Sequence, residues 1–124
     1  MRLDLHVHST ASDGAESPAE VVRRAVAGGL DVLALSDHDT TGGVAAATEA
    51  ASGHPIQIVP AIEMSSTRDG RELHILGYFV DIEHPALVAH EQRAHGRRAE
   101  RRSARPFRWV THLLKSSCLR RALS

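Results

Sequence analysis

A single cysteine, Cys118, has no partner for an intrachain disulfide, so cross-linking plays no part in holding these 124 residues together. No apolar run approaches the roughly 18 residues that a membrane-spanning helix needs, which excludes that class of integral protein. No charged leader followed by an apolar stretch and a small-residue cleavage site opens the chain, and the expected compartment is the cytoplasm. The glycine pairs Gly28-Gly29 and Gly42-Gly43 lack the spacing of a Walker phosphate loop, and no internal repeat is present. Acidic residues are scarce at one end. Residues 1–92 hold 5 Lys and Arg against 14 Asp and Glu, whereas residues 93–124 hold 10 against 1. Formal neutrality therefore conceals two halves of opposite charge, nine negative and nine positive.

The first apolar run ends in Leu5-His6-Val7-His8-Ser9, with Ser12-Asp13-Gly14 close behind. In a strand over residues 2–7, His6 and His8 share a face, because side chains alternate with period two. Nine histidines in 124 residues give about 0.6 His-x-His pairs by chance, so the pair needs support from elsewhere. Three further polar clusters supply it. Ser36-Asp37-His38-Asp39-Thr40-Thr41 follows the run Val32 to Leu35, Glu63 follows Ile56 to Ile62, and His74 interrupts Leu73 to Tyr78. Each apolar run reads as a buried strand. In α/β proteins with parallel strands, sites form where loops meet at the carboxyl ends of the strands. That placement would bring His6, His8, Asp13, His38, Glu63 and His74 to one pocket.

Helices separate these runs. Ser17-Pro18-Ala19-Glu20 has capping-box spacing with proline at the first helical position, and Val21, Val22, Ala25 and Val26 mark an apolar face that ends at Gly28-Gly29. A second helix is expected from Gly43 to Ala51 and a third from about Pro85. Asp69-Gly70 predicts a hairpin turn between residues 64–68 and 72–79. Alternating strands and helices at the start predict parallel strands, with three or four strands and three helices in all.

The chemistry of such a pocket follows from its donors. Neutral imidazole and carboxylate form a mixed nitrogen and oxygen set suited to manganese, zinc or iron(II), and poorly suited to calcium. A carboxylate bridging two ions allows a shared water to ionise near neutral pH, and the ions offset charge developing on a phosphoryl group. Phosphate ester hydrolysis is the reaction that such a set fits best. Asp4, Asp37 and Asp39 read equally as carboxylates orienting a ligand and as surface or capping residues. Arg68 and Arg71 read as a solvated hairpin tip, and His54, His84, His90, His95 and His112 as surface residues.

Taken in order, Asp4-Leu5-His6-Val7-His8-Ser9, Ser12-Asp13-Gly14, Ser36-Asp37-His38-Asp39-Thr40, Ala61-Ile62-Glu63-Met64-Ser65 and Leu73-His74-Ile75-Leu76-Gly77-Tyr78 resemble the N-terminal part of a polymerase and histidinol phosphatase (PHP) domain. The likeness is greatest to small bacterial phosphoesterases acting on nucleoside 3′,5′-bisphosphates and on the 5′ ends of short RNA. It implies an α/β fold, the N-terminal part of a distorted (β/α)7 barrel, that in complete form holds up to three divalent ions such as manganese, zinc, iron or magnesium. It further implies that His6, His8 and Glu63 hold one ion, that Glu63 bridges to a second held by His74, and that Asp13 and His38 hold the third. Catalytic weight would fall on Glu63, His38 and Asp13. The implied substrate is a phosphorylated small molecule or short oligonucleotide. Alternatives within the resemblance are a non-catalytic structural or metal-binding PHP module and a histidinol-phosphatase-like enzyme.

Complete members of that family carry a later histidine and a C-terminal Asp-x-His pair, and nothing after His74 matches either. A barrel also typically needs about 200 residues or more. The expectation is an incomplete domain over residues 1–102, binding metal weakly and turning over phosphate esters poorly or not at all. Residues 103–124 are expected to stand outside the α/β core, because their apolar residues are scattered among basic ones without acidic partners. An out-of-frame or misjoined end beginning near Arg102 accounts for this tail better than a basic nucleic-acid-binding arm does.

Overall fold

The computed structural model describes residues 1–100. Two compact units divide the chain, Met1–Glu91 and Gln92–Ser124. In the second unit residues 92–100 are helical, and the expectations for residues 103–124, including His112 and the basic arm, lie outside the described residues.

The first unit runs β1 (Leu3–Val7), α1 (Pro18–Ala27), β2 (Val32–Leu35), α2 (Val44–Ala50), β3 (Gln57–Arg68) and β4 (Arg71–Tyr78), followed by helical residues 85–91. One sheet carries the four strands in chain order, with β1 and β2 parallel, β2 and β3 parallel, and β3 and β4 antiparallel. The parallel start follows from the crossover helices, which return the chain to the same end of the sheet. The α1 start also forms as expected: the Ser17 hydroxyl accepts from the Glu20 amide and Pro18 opens the helix. The reciprocal half of the capping box is absent, because the Glu20 carboxylate turns to Arg23 and Arg24 instead. Gly28 and Gly29 end the helix, Gly29 with φ +71°.

Helices cover one face of the sheet. Leu33 and Leu35 of β2 pack with Val21, Val22, Ala25 and Ala47, while Ala34 packs on the opposite face with Val59 and Ala61. Period two thus divides adjacent residues between two cores, and Glu63, in step with Val59 and Ala61, falls on the face away from the helices.

Two features differ from the sequence reading. The segments expected as separate strands at 56–62 and 64–68 form a single strand, β3, which changes partner midway. Gln57 to Pro60 pair with β2, and Ala61 to Arg68 pair with β4. In β1 the register slips by one residue between Asp4 and Val7 opposite Leu33 and Leu35. This irregularity sets Val7 against the helix-side core and turns His6 and His8 to the other face, a re-aiming that bulges commonly perform near sites. The hairpin turn at Asp69-Gly70 forms with both residues at positive φ, 51° and 75°, the geometry of a type I′ turn. Leu3, Leu5, Leu73, Ile75 and Phe79 stay exposed, and among the described residues β1 is paired on one side only. No helix among the described residues is long and apolar enough to cross a membrane.

Candidate metal centre

The six predicted ligands converge. Glu63 lies at their middle with its side chain 8% exposed, and ring nitrogens of four histidines surround its carboxylate. His6 Nε2 stands 2.9 Å and His8 Nε2 2.8 Å from Oε2, His38 Nδ1 lies 3.6 Å from the same oxygen, and His74 Nδ1 lies 3.3 Å from Oε1. Asp13 completes the group, with Oδ1 2.7 Å from His8 Nδ1 and Oδ2 3.4 Å from His38 Nε2. Potential ligand atoms gather in three sets: His6, His8 and Glu63; His8, Asp13 and His38; His38, Glu63 and His74.

Glu63 reaches this point because β3 continues past the end of its partner β2. The parallel pairing stops at Leu35 and Pro60, and Glu63 sits three residues beyond, held in extended backbone by β4 and by an isolated parallel bridge to His38. The expected placement at strand ends therefore holds for the parallel half of β3, although Glu63 and His74 lie within strands. His6 and His74 keep side-chain exposures of 49% and 39%. The site is a cup open on one side with the carboxylate at its floor.

Electrostatics favour ionised carboxylates. Burial pushes the Glu63 carboxyl up, but its bond to His6 and the nearby His38, His6 and His8 outweigh that and leave it below its ordinary range. The hydrogen bond from His8 does the same for Asp13 against the opposing effect of burial. An ionised Asp13 only accepts, so His8 donates from Nδ1; in the neutral ring Nε2 then keeps its lone pair. That nitrogen is buried and makes no directed hydrogen bond despite its 2.8 Å approach to Glu63. A bare imidazole nitrogen aimed at a carboxylate, with a second carboxylate fixing its tautomer, fits a cation, and the four imidazoles and two carboxylates fit manganese, zinc or iron(II).

The loops holding these side chains rest on residues that the sequence left undecided. Asp37 is buried and accepts from the Ser9 amide, the Ser9 hydroxyl and the Ser12 hydroxyl at 2.7, 2.7 and 2.6 Å, which ties the loop bearing Asp13 to the end of β2. Asp39, with φ +53°, accepts from the Ser65 amide at 2.7 Å and from His90 Nε2 at 2.9 Å. Burial raises its pKa, but Ser65 and His90 more than compensate, and it too stays ionised below its ordinary range. His90 is thus not a surface residue: its side chain is mostly buried against Asp39. His54, His84 and His95 are exposed, as are Arg68 and Arg71 at the hairpin tip. Asp4 accepts from the His6 backbone amide rather than from a ligand ring.

A family model described as the PHP domain matches residues 4–110. The chain belongs to the PHP domain family. Its relatives include a 5′-3′ exoribonuclease of Haemophilus influenzae, 48% identical over 71% of this chain and 32% of that protein. A 3′,5′-nucleoside bisphosphate phosphatase of Chromobacterium violaceum is 45% identical over 70% of this chain and 30% of its own length. A solved amidohydrolase structure from Chromobacterium violaceum, with bound sulfate and no metal, matches with a TM-score of 0.78 at 42% identity, covering 82% of this PHP chain and 36% of that one. The α/β sheet is accordingly part of a PHP barrel, and the chain spans about a third of the length of the curated relatives it matches.

Proposed function

We propose that this PHP chain carries the metal centre of a phosphoesterase that hydrolyses phosphate monoesters in nucleotides or short oligonucleotides. The observation that carries the reading is the buried carboxylate of Glu63, faced by nitrogens of His6, His8, His38 and His74 within 3.6 Å. One oxygen faces His6, His8 and His38 and the other faces His74, a placement that would let Glu63 serve two ions. His6 and His8 with Glu63 would hold one ion, His74 with Glu63 a second, and Asp13 with His38 a third.

When bound, divalent metal supplies Lewis acidity toward a phosphoryl oxygen and acidifies a water. The chain's own part is preorganisation. Asp13 fixes the His8 tautomer, Asp37 fixes the loop bearing Asp13, and the rigid β3 backbone fixes Glu63. The open side of the cup, lined by the exposed edges of His6 and His74, admits a terminal phosphate. The nucleotide and RNA substrates named for the two relatives suggest the substrate class. Each ion finds at most three protein ligands among the described residues, so weak metal binding is expected.

The test is Mn²⁺ titration with phosphate release from a nucleoside 3′,5′-bisphosphate, for the full chain and for Glu63→Ala. Slow Mn²⁺-dependent release, lowered at least about 100-fold by Glu63→Ala, is the expected result. Release that Glu63→Ala leaves unchanged would overturn the assignment, and Mn²⁺ binding without release would favour a non-catalytic module.

A further inference from the structure

The sequence Ala89-His90-Glu91 lies about fifty positions beyond the His38 loop, and the side chains of His90 and Glu91 point back to it. His90 Nε2 meets Asp39 Oδ1 at 2.9 Å. Glu91 Oε1 accepts from the Thr41 amide at 3.0 Å and its hydroxyl at 2.6 Å, while Oε2 accepts from the Thr40 hydroxyl at 3.2 Å. Consecutive residues of one helical turn thus hold consecutive residues 39, 40 and 41.

Asp39 is the key link. Its amide donates to the Glu63 carbonyl at 2.9 Å, and the Glu63 amide donates to the Asp37 carbonyl at 3.1 Å, so His38 and Glu63 sit side by side on two short backbone bonds. The Asp39 carboxylate adds a third tie, to the Ser65 amide. Asp39 adopts a left-handed conformation, φ +53°, which aspartate adopts more readily than most non-glycine residues where its surroundings hydrogen-bond its carboxylate. His90 is one of those surroundings, and its donor goes to a carboxylate already committed to Ser65.

We propose that His90 and Glu91 form a clamp that positions His38 against Glu63, making them positioning residues for the metal centre although neither is a ligand. The inference rests on the metal reading above. Losing a carboxylate or imidazole that orients a ligand typically weakens metal binding about 10- to 100-fold, and His90→Ala is expected to fall in that range. His90→Gln keeps a donor near the Nε2 position and should recover most of the affinity.

The experiment uses the full chain, with Mn²⁺ as the probe and amide hydrogen exchange of the metal-free protein as a second readout. Expected for His90→Ala are faster exchange at the Asp39 and Ser65 amides, unchanged exchange in β2, and weaker Mn²⁺ binding, all reversed by His90→Gln. A core truncation, Val22→Ala, controls for general destabilisation and should lower stability without changing Mn²⁺ affinity. Should His90→Ala fail to fold, Glu91→Gln and Thr41→Val test the same clamp from its other half. Equal Mn²⁺ affinity in the unaltered chain and His90→Ala, or unchanged exchange at Asp39 and Ser65, overturns the clamp. An unaltered chain that binds no Mn²⁺ while exchange still responds to His90→Ala overturns the metal reading and with it the clamp's positioning role.

Discussion

Gly14→Ala is the sharpest test of how the Asp13 loop is built. A Cβ on Gly14 would stand 2.6 Å from the His8 carbonyl oxygen, 2.7 Å from the His8 carbonyl carbon and 2.7 Å from Ser9 Cα. All three are backbone atoms, and ordinary contact begins near 3.4 Å, so the loop must open by about 0.8 Å at its tightest point. His8 and Ser9 cannot yield readily, because Ser9 is fully buried and two bonds to Asp37 hold it. The movement therefore falls on residues 12–14. If all of it reached Asp13, the 2.7 Å contact with His8 Nδ1 would lengthen to about 3.5 Å, beyond hydrogen-bond range.

Overpacking of this kind costs about 1–3 kcal/mol. The Asp13 bond adds little to that, since Asp13 is largely exposed and solvent screens it. For a domain near this size each kcal/mol lowers Tm by about 4 °C, so a fall of roughly 4–12 °C is expected. Thermal unfolding followed by circular dichroism measures it, and Mn²⁺ titration should show weaker binding at the same time. Gly96→Ala serves as the control, because nothing lies within 4 Å of its added Cβ. A Gly14→Ala protein with Tm and Mn²⁺ affinity both unchanged would refute the steric reasoning and show that the loop adapts freely.

Two further outcomes follow from single side chains. Asp37→Ala removes the acceptor for the buried Ser9 amide and hydroxyl and for the Ser12 hydroxyl, and should cost about 2–4 kcal/mol in urea denaturation, with Asp37→Asn recovering part of the loss. Glu20 is held down to about 2, chiefly by its bond to Arg23 with Arg24 adding to it. Because its folded pKa lies below the unfolded value of 4.5, its contribution is present above pH 4.5 and disappears as pH falls toward 2. Stability of Glu20→Gln should therefore depend less steeply on pH in that window, and an NMR titration of the Glu20 carboxyl should give a midpoint near 2.

Much of this architecture was legible because its signals are local. Ser17-Pro18 caps α1 through atoms three residues apart, and Asp69-Gly70 closes a turn through its own dihedrals. His6, His8, Glu63 and His74 were legible for a related reason: each polar residue interrupts or ends an apolar run, and a strand carries it to a predictable level of the sheet. What escaped the sequence depends on long-range partners. Neither the slip in β1 nor the exchange of partners midway along β3 has a residue that marks it, since both are set by the strand alongside.

His38 shows why the flanking carboxylates could not be ranked in advance. Asp37 and Asp39 look equivalent on either side of it, and both were read as orienting or capping residues. Folding separates them: Asp37 turns back to Ser9 and Ser12 on the β1 side, while Asp39 turns forward to Ser65 on β3 and to His90 in the helical segment. The only sequence sign of His90 was a lone histidine on a helix, for which a surface position is the commoner outcome. Its role depends on a partner 51 residues away and on the left-handed turn at Asp39. His38 is therefore flanked by two buried carboxyl side chains, one answering to the loop that carries Asp13 and the other to the strand that carries Glu63. His38, between them, faces the carboxylates of both Asp13 and Glu63 because its two neighbours are tied to the two segments that supply them.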